Sequence, residues 1–156
     1  MKKLLSVILI IGLCSAFGCS KNDISKTKVG DSMFSVIERY GSSSHIYLNT
    51  LRVFRDGTNY LVTISDFRTV LGVVVFDSTG KLLFSEGVTP IKDEDMEQFQ
   101  GESFRELEKQ FGKKHCDTGS GFYYPSYITD HGTIVIIHVD NDIVSSISSY
   151  DVITGV

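Results

Sequence analysis

Gly101-Glu102-Ser103-Phe104-Arg105-Glu106-Leu107-Glu108-Lys109-Gln110-Phe111-Gly112 decides how this chain is read, because its pattern occurs twice. Gly30-Asp31-Ser32-Met33-Phe34-Ser35-Val36-Ile37-Glu38-Arg39-Tyr40-Gly41 has the same grammar 71 positions earlier. Both read glycine, acid, serine, apolar residue, two spacers, aliphatic residue, three spacers, aromatic residue, glycine. Apolar residues at i, i+3 and i+7 line one side of a helix. The serine or the acid caps the N-terminus, and Ser103 with Glu106 has the spacing of a capping box. The closing glycine suits the left-handed residue that ends a helix. Each copy is predicted to be a short capped helix. Met33, Val36 and Tyr40 form the stripe of the first; Phe104, Leu107 and Phe111 form that of the second.

Upstream of the first copy, residues 1–18 stand apart from the fold. Lys2 and Lys3 make a positive start, and an uncharged apolar run follows from Leu4 to Leu13. The run is short for a membrane span and has the flanks of a secretory signal. Ala16-Phe17-Gly18 meets the small-x-small cleavage rule, which places the cut before Cys19. A cysteine at that point resembles a bacterial lipoprotein signal, in which Cys19 is acylated and becomes the mature N-terminus. The other reading is an ordinary secreted protein with a cysteine there by chance. The expectation is an exported protein, lipid-anchored to the cell membrane or outer membrane, with its domain outside the cytoplasm. Residues 20–28 are polar and aperiodic, a tether between the lipidated cysteine and the domain.

Removing 18 of the 156 residues leaves 138, enough for one domain with its own core. Without Lys2 and Lys3 the formal net charge falls from −4 to −6. That argues against a nucleic-acid partner, which wants a basic face. With Cys19 lipidated, Cys116 is the remaining thiol, and one cysteine cannot close an internal disulfide. Its ordinary role is that of a buried small hydrophobe.

After the first helix, Ile46 to Phe54 reads as a strand. Asp56-Gly57 is a hairpin turn, and Tyr60 to Ile64 returns as the next strand. Val70 to Phe76 and Leu82 to Phe84 make a second hairpin around residues 77–80. The unbroken apolar run Val73 to Phe76 indicates a strand covered on both faces. After the second helix, Phe122 to Thr129, Thr133 to Val139 and Ile143 to Ser149 read as a three-stranded meander. Pro125 confines the first of these to an edge or makes it irregular. The acidic run Ile91 to Gln100 lacks the ligand spacing of a calcium loop and reads as a solvated helix start. Helix then antiparallel strands, twice, predicts an α+β duplication. Its parts are repeat 1 over residues 29–90, repeat 2 over 91–150 and a tail over 151–156. The expected architecture is one curved sheet with both helices packed on one face.

The helix motif ending in aromatic-glycine, the meander after it and the signal before it together resemble the β-lactamase-inhibitor-protein-like lipoproteins. These include the small outer-membrane lipoproteins of the barrel-assembly machinery (the SmpA/OmlA type), which carry one such repeat. Two repeats make the tandem form the nearer likeness. The run Gly119 to Tyr127 also looks like that of a group of bacterial lipoproteins with a repeat of this type. The resemblance spans roughly residues 29–150 and implies a binding scaffold, not an enzyme.

Candidate sites are few. Gly119-x-Gly121 has a helix before it and a strand after, the reverse of a nucleotide-binding loop. His115, Cys116, Asp117, His131 and His138 are donor types for zinc, but their spacings match no known pairing and no metal or cofactor is expected. Cys116 beside His115 makes a poor nucleophile–base pair, because neighbours in the chain rarely present side chains to one another; no catalytic residue is assigned. The aromatic set Phe122, Tyr123, Tyr124 and Tyr127 is the candidate binding surface, since exposed tyrosines are common interface anchors. The competing reading is that they cover an edge strand with their hydroxyls in water. The functional expectation is a membrane-anchored, non-catalytic module for a protein partner. The alternative is a small-ligand or metal-binding lipoprotein that uses the 115–121 loop.

Overall fold

The computed structural model describes residues 24–41, 43, 45–47, 50–92, 96–119 and 122–156. The expected signal, Cys19, the first residues of the expected tether and Ser120-Gly121 lie outside these. The two repeated motifs form helices α1 (Met33–Tyr40) and α2 (Phe104–Phe111), each eight residues long. Each closes on a glycine, Gly41 at φ 80°, ψ −163° and Gly112 at φ 82°, ψ −174°. That combination is open to glycine alone, so the glycine is the stop signal. The capping box is not formed: Ser103 Oγ accepts from the Arg105 N–H, while the Glu106 carboxylate bonds Lys109.

The strands are β1 (His45–Tyr47), β2 (Leu51–Asp56), β3 (Asn59–Ser65), β4 (Val70–Phe76), β5 (Leu82–Glu86), β6 (Cys116–Asp117), β7 (Pro125–Ile128), β8 (Thr133–Asp140) and β9 (Ile143–Asp151). They form two separate antiparallel sheets, β1-β2-β3-β4-β5 and β6-β7-β8-β9. The fold is α+β. The expected strand from Ile46 to Phe54 is instead two, β1 and β2, paired to each other. The strand expected from Phe122 begins only at Pro125, and β7 lies between β6 and β8, not at an edge. Proline is tolerated there because it is the first residue of the strand.

Alternation along the central strands shows how the layers stack. In β3, Tyr60, Val62 and Ile64 point to one face while Leu61 points to the other. Tyr60, Val62, Ile64, Val74 and Phe76 of the first sheet pack in one cluster with Ile128, Ile134, Ile136 and Tyr150 of the second. The opposite face of the first sheet (Phe54, Leu61, Val73, Val75) receives Met33 and Val36 of α1. The opposite face of the second (Tyr127, Val135, Ile137, Val144) receives Phe104 and Leu107 of α2. The order of layers is α1, first sheet, second sheet, α2. This corrects the expectation of one curved sheet with both helices on one face. Each sheet is apolar on both faces and must bury both. An eight-residue helix covers one face, and the other sheet covers the remaining one.

The same ladder holds both helix starts. Gly30 N–H donates to Val70 C=O at 2.9 Å, Val70 N–H to Asp31 C=O at 2.9 Å and Met33 N–H to Arg68 C=O at 2.8 Å. In the second half Gly101 N–H donates to Val144 C=O at 2.9 Å, Val144 N–H to Glu102 C=O at 2.9 Å and Phe104 N–H to Asp142 C=O at 2.7 Å. Register shifts also match, at Ile64/Ser65 and at His138/Val139. The expected tether is shorter than the sequence suggested. Ile24 is buried with Met33 and Val36, and Thr27 is buried with its hydroxyl on Tyr40 Oη at 3.1 Å.

Candidate binding surface

Of the candidate aromatic residues, Phe122, Tyr123 and Tyr124 lie between β6 and β7, and Tyr127 lies within β7. Asp117, at the end of β6, organises this connection. Its Oδ1 accepts the Gly119 N–H and the Tyr124 N–H, each at 3.0 Å, and its Oδ2 accepts Lys114 Nζ at 3.1 Å. Partial burial pushes this carboxyl up, but the two N–H bonds and Lys114 outweigh that and hold it below its ordinary value. Thr118 closes the neck, its N–H donating to Tyr124 C=O at 2.9 Å and its hydroxyl lying 2.9 Å from Ser126 Oγ. These bonds fasten residues 117–119 to Tyr124, just before β7.

Within that frame the four aromatic residues part company. Phe122 is 71 % exposed and Tyr123 is 45 % exposed. Phe122 stacks on Tyr124 with ring planes 14° apart, and Tyr124 meets the His138 imidazole edge-on at 4.6 Å between centroids. Tyr123 is held between the Phe104 ring, 5.9 Å away edge-on, and the Lys114 ammonium, 4.0 Å from its centroid. Tyr127 is fully buried in the cluster under α2, and its hydroxyl donates to Gly112 C=O at 3.0 Å. It is therefore a core residue that ties β7 to the end of α2, and it leaves the candidate binding set. Parity along one continuous strand does not apply, because residues 122–124 lie outside β7.

Phe122, Tyr123 and Tyr124 form one wall of a groove of about 370 Å³. His138, Val139, Asp140, Ser145 and Ser146 form the other, at the irregular step in the β8–β9 ladder. Lys114, under Tyr123, was not singled out in the sequence, and Asp117 and His138 were weighed there only as metal donors. Only Asp117, two residues before Gly119, carried a local signal, that of an Asx-type turn.

The histidines and the cysteine at and around the 115–121 loop are engaged as follows. His115 Nδ1 accepts the Ile128 N–H at 2.9 Å, and the ring packs edge-on against Tyr127 at 5.5 Å. Burial pushes its pKa down to about 4, against a hydrogen bond with the Thr89 backbone. The ring is thus a neutral fastener between residue 89 and β7. Cys116 is buried, and burial pushes its thiol up to about 12. His131 pairs with Asp130 in the β7–β8 turn, and His138 Nε2 lies 3.1 Å from Ser148 Oγ. Among the described residues no group of three His, Cys, Asp or Glu side chains is placed to hold a metal ion. A second cavity, about 500 Å³, opens beside His115 between residues 87–91, Leu71 and the end of α2. Among the described residues no helix is long and apolar enough to cross a membrane.

Comparisons with family models, curated proteins and solved structures find no match to this chain.

Proposed function

We propose that this protein is an exported lipoprotein, anchored through Cys19, whose domain captures a protein partner and performs no catalysis. The groove between Phe122–Tyr124 and the β8–β9 step is the capturing surface. The observation that carries this reading is an outward phenylalanine, 71 % exposed, two residues before the Tyr124 N–H that Asp117 accepts. Leaving a large aromatic ring in water gains a fold nothing, whereas burying it against a partner is worth about 2 kcal/mol, the scale of an interface hot spot.

The two matching ladders support reading the halves as tandem copies of one helix-plus-meander unit, with β5 as an addition to the first. This is the arrangement implied by the resemblance to the β-lactamase-inhibitor-protein-like lipoproteins, which are binding scaffolds. The buried Cys116 and the neutral, doubly engaged His115 offer neither a nucleophile nor a base.

Two measurements test the reading. Mass spectrometry of the protein from its own membranes should show loss of residues 1–18 and an acylated Cys19. The lipidated protein should capture a partner from those membranes, and Phe122→Ala with Tyr123→Ala should abolish capture while thermal stability stays within a few degrees. Capture that survives the double change places the binding surface elsewhere. A second reading, small-ligand binding beside the 115–121 loop, is favoured by the cavity of about 500 Å³ that His115 helps to line.

A further inference from the structure

The matching ladders make each half a control for the other, and one surface fails the comparison. Along the first ladder four apolar residues are exposed: Val29 at 37 %, Phe34 at 74 %, Phe67 at 63 % and Leu71 at 48 %. The bonds Gly30–Val70 and Met33–Arg68 place Val29 and Leu71 at one end of this ladder and Phe34 and Phe67 at the other. By the same bonds their counterparts in the second half are Gln100, Arg105, Asn141 and Ser145, all exposed and all polar. One pair runs the other way, Thr69 against Ile143. The fold therefore does not require apolar residues at these four places.

Phe67 is the sharpest case. It sits at φ 79°, in the left-handed region, where its counterpart Asn141 sits at φ 50°. Asparagine adopts that conformation readily, whereas a bulky aromatic residue there is an outlier that its surroundings must hold in place. A strained residue whose ring then points into solvent has no folding role that asparagine would not fill better.

The position of this face relative to the anchor indicates what covers it. Ile24 is packed against Met33 and Val36 of α1. From Cys19 to Ile24 the chain spans at most about 18 Å when fully extended. A lipid on Cys19 therefore holds the α1 side of the domain against the bilayer, while α2 lies on the far side of both sheets, with Leu71 at the edge where the two halves meet. Charge is balanced around the face. Lys26, Lys28 and Arg68 are exposed there, and Asp31, Asp66 and Glu86 each accept a backbone N–H, from Lys28, from Arg68 and Thr69, and from Val29. Attraction to anionic headgroups is thus not the driving term; insertion of aromatic rings at the interface is.

We propose that the face formed by Val29, Phe34, Phe67 and Leu71 rests in the surface of the lipid bilayer, with the two phenylalanine rings inserted. This rests on the lipid-anchored reading above. It fixes the orientation of the domain: the first half lies down on the membrane, and the second half, with the aromatic groove, is presented away from it.

The chain contains no tryptophan, so Phe67→Trp installs a single reporter and Asn141→Trp installs its control in the other half. Each full-length variant, purified from membranes, is reconstituted in phosphatidylethanolamine–phosphatidylglycerol vesicles with brominated acyl chains. The indole at position 67 should lose most of its emission to the bromines and shift to the blue, while that at 141 should keep its emission. Protein that floats with the vesicles yet leaves position 67 unquenched, or quenches both positions equally, overturns the proposal while leaving the anchor intact. Protein that does not float overturns the anchor and this orientation together. As an independent check, Phe34→Arg with Phe67→Asn copies the second half and should keep the melting temperature. In the Cys19→Ser chain it should cut co-sedimentation with the same vesicles several-fold; unchanged co-sedimentation overturns the proposal.

Discussion

Asp117 and Tyr124, seven residues apart, are joined by an N–H···O bond of 3.0 Å that ties the end of β6 to the residue before β7. The same carboxylate oxygen holds Gly119, and the other holds Lys114 beneath the Tyr123 ring. Asp117→Ala should therefore release Gly119 and Tyr124 while costing only about 1 kcal/mol of stability, since the site is partly exposed. Partner capture should fall much further than stability. Hydrogen exchange at the amides of Gly119 and Tyr124 checks the first expectation, and binding to native membranes checks the second.

Leu107 is fully buried between α2 and the second sheet, and Tyr127 lies fully buried in the same cluster. Leu107→Ala should cost about 2–5 kcal/mol, the range for a large-to-small change in a packed core. Tyr127→Phe keeps the packing but orphans the Gly112 carbonyl, and should cost about 1 kcal/mol. Urea unfolding with unchanged slope would report both as stability effects.

His115 predicts acid sensitivity well above the carboxylate range. Its pKa in the folded protein is about 4 against an ordinary 6.5, so protonation favours the unfolded chain. Full stability holds above pH 6.5, falls as pH drops and stops changing near pH 4. The total loss is on the order of 3 kcal/mol. Asp117, held below its ordinary value, acts in a lower window: its contribution is present above about pH 4 and is lost below it. His115→Gln should flatten the curve between pH 6.5 and 4 and leave the lower window in place, as thermal melts across that range would show.

Cys116, with its thiol pushed up to about 12 by burial and by the Asp117 charge, should resist iodoacetamide at pH 8. Denatured protein should label fully. Peptide mapping distinguishes this thiol from any upstream cysteine, and rapid labelling of the folded protein would mean that β6 opens readily.

The helices, their stop glycines and most hairpins were legible because each rests on a local signal a few residues long. Met33, Val36, Phe104 and Leu107 fall on the buried sides of α1 and α2, as their spacing requires. The pairing of two sheets was not legible in the same way. It was written in the strands as a second set of apolar residues, Leu61 between Tyr60 and Val62, and Val135 between Ile134 and Ile136, but that pattern says only that both faces are covered. It does not say by what. At the candidate site, Phe122 and Tyr123 stand out by composition alone. Tyr127 misled, because Pro125 resets the strand and all four residues of β7 are buried. His138 was weighed as a metal donor, but its place beside Tyr124 was not legible, because the fold brings it there from another strand.

The cluster between the sheets is assembled from both halves of the chain, yet only residues 87–96 connect β5 to the structure around α2. Neither half can shield its inner sheet face by itself. During synthesis the first half emerges with Val62, Val74 and Phe76 bare until the second arrives. A neighbouring molecule offers the identical surface. Two chains that open at this connection can trade halves and close again into an intertwined dimer with every contact preserved. The inner face of each half is thus both the centre of this fold and a surface on which the matching half of a second copy would fit.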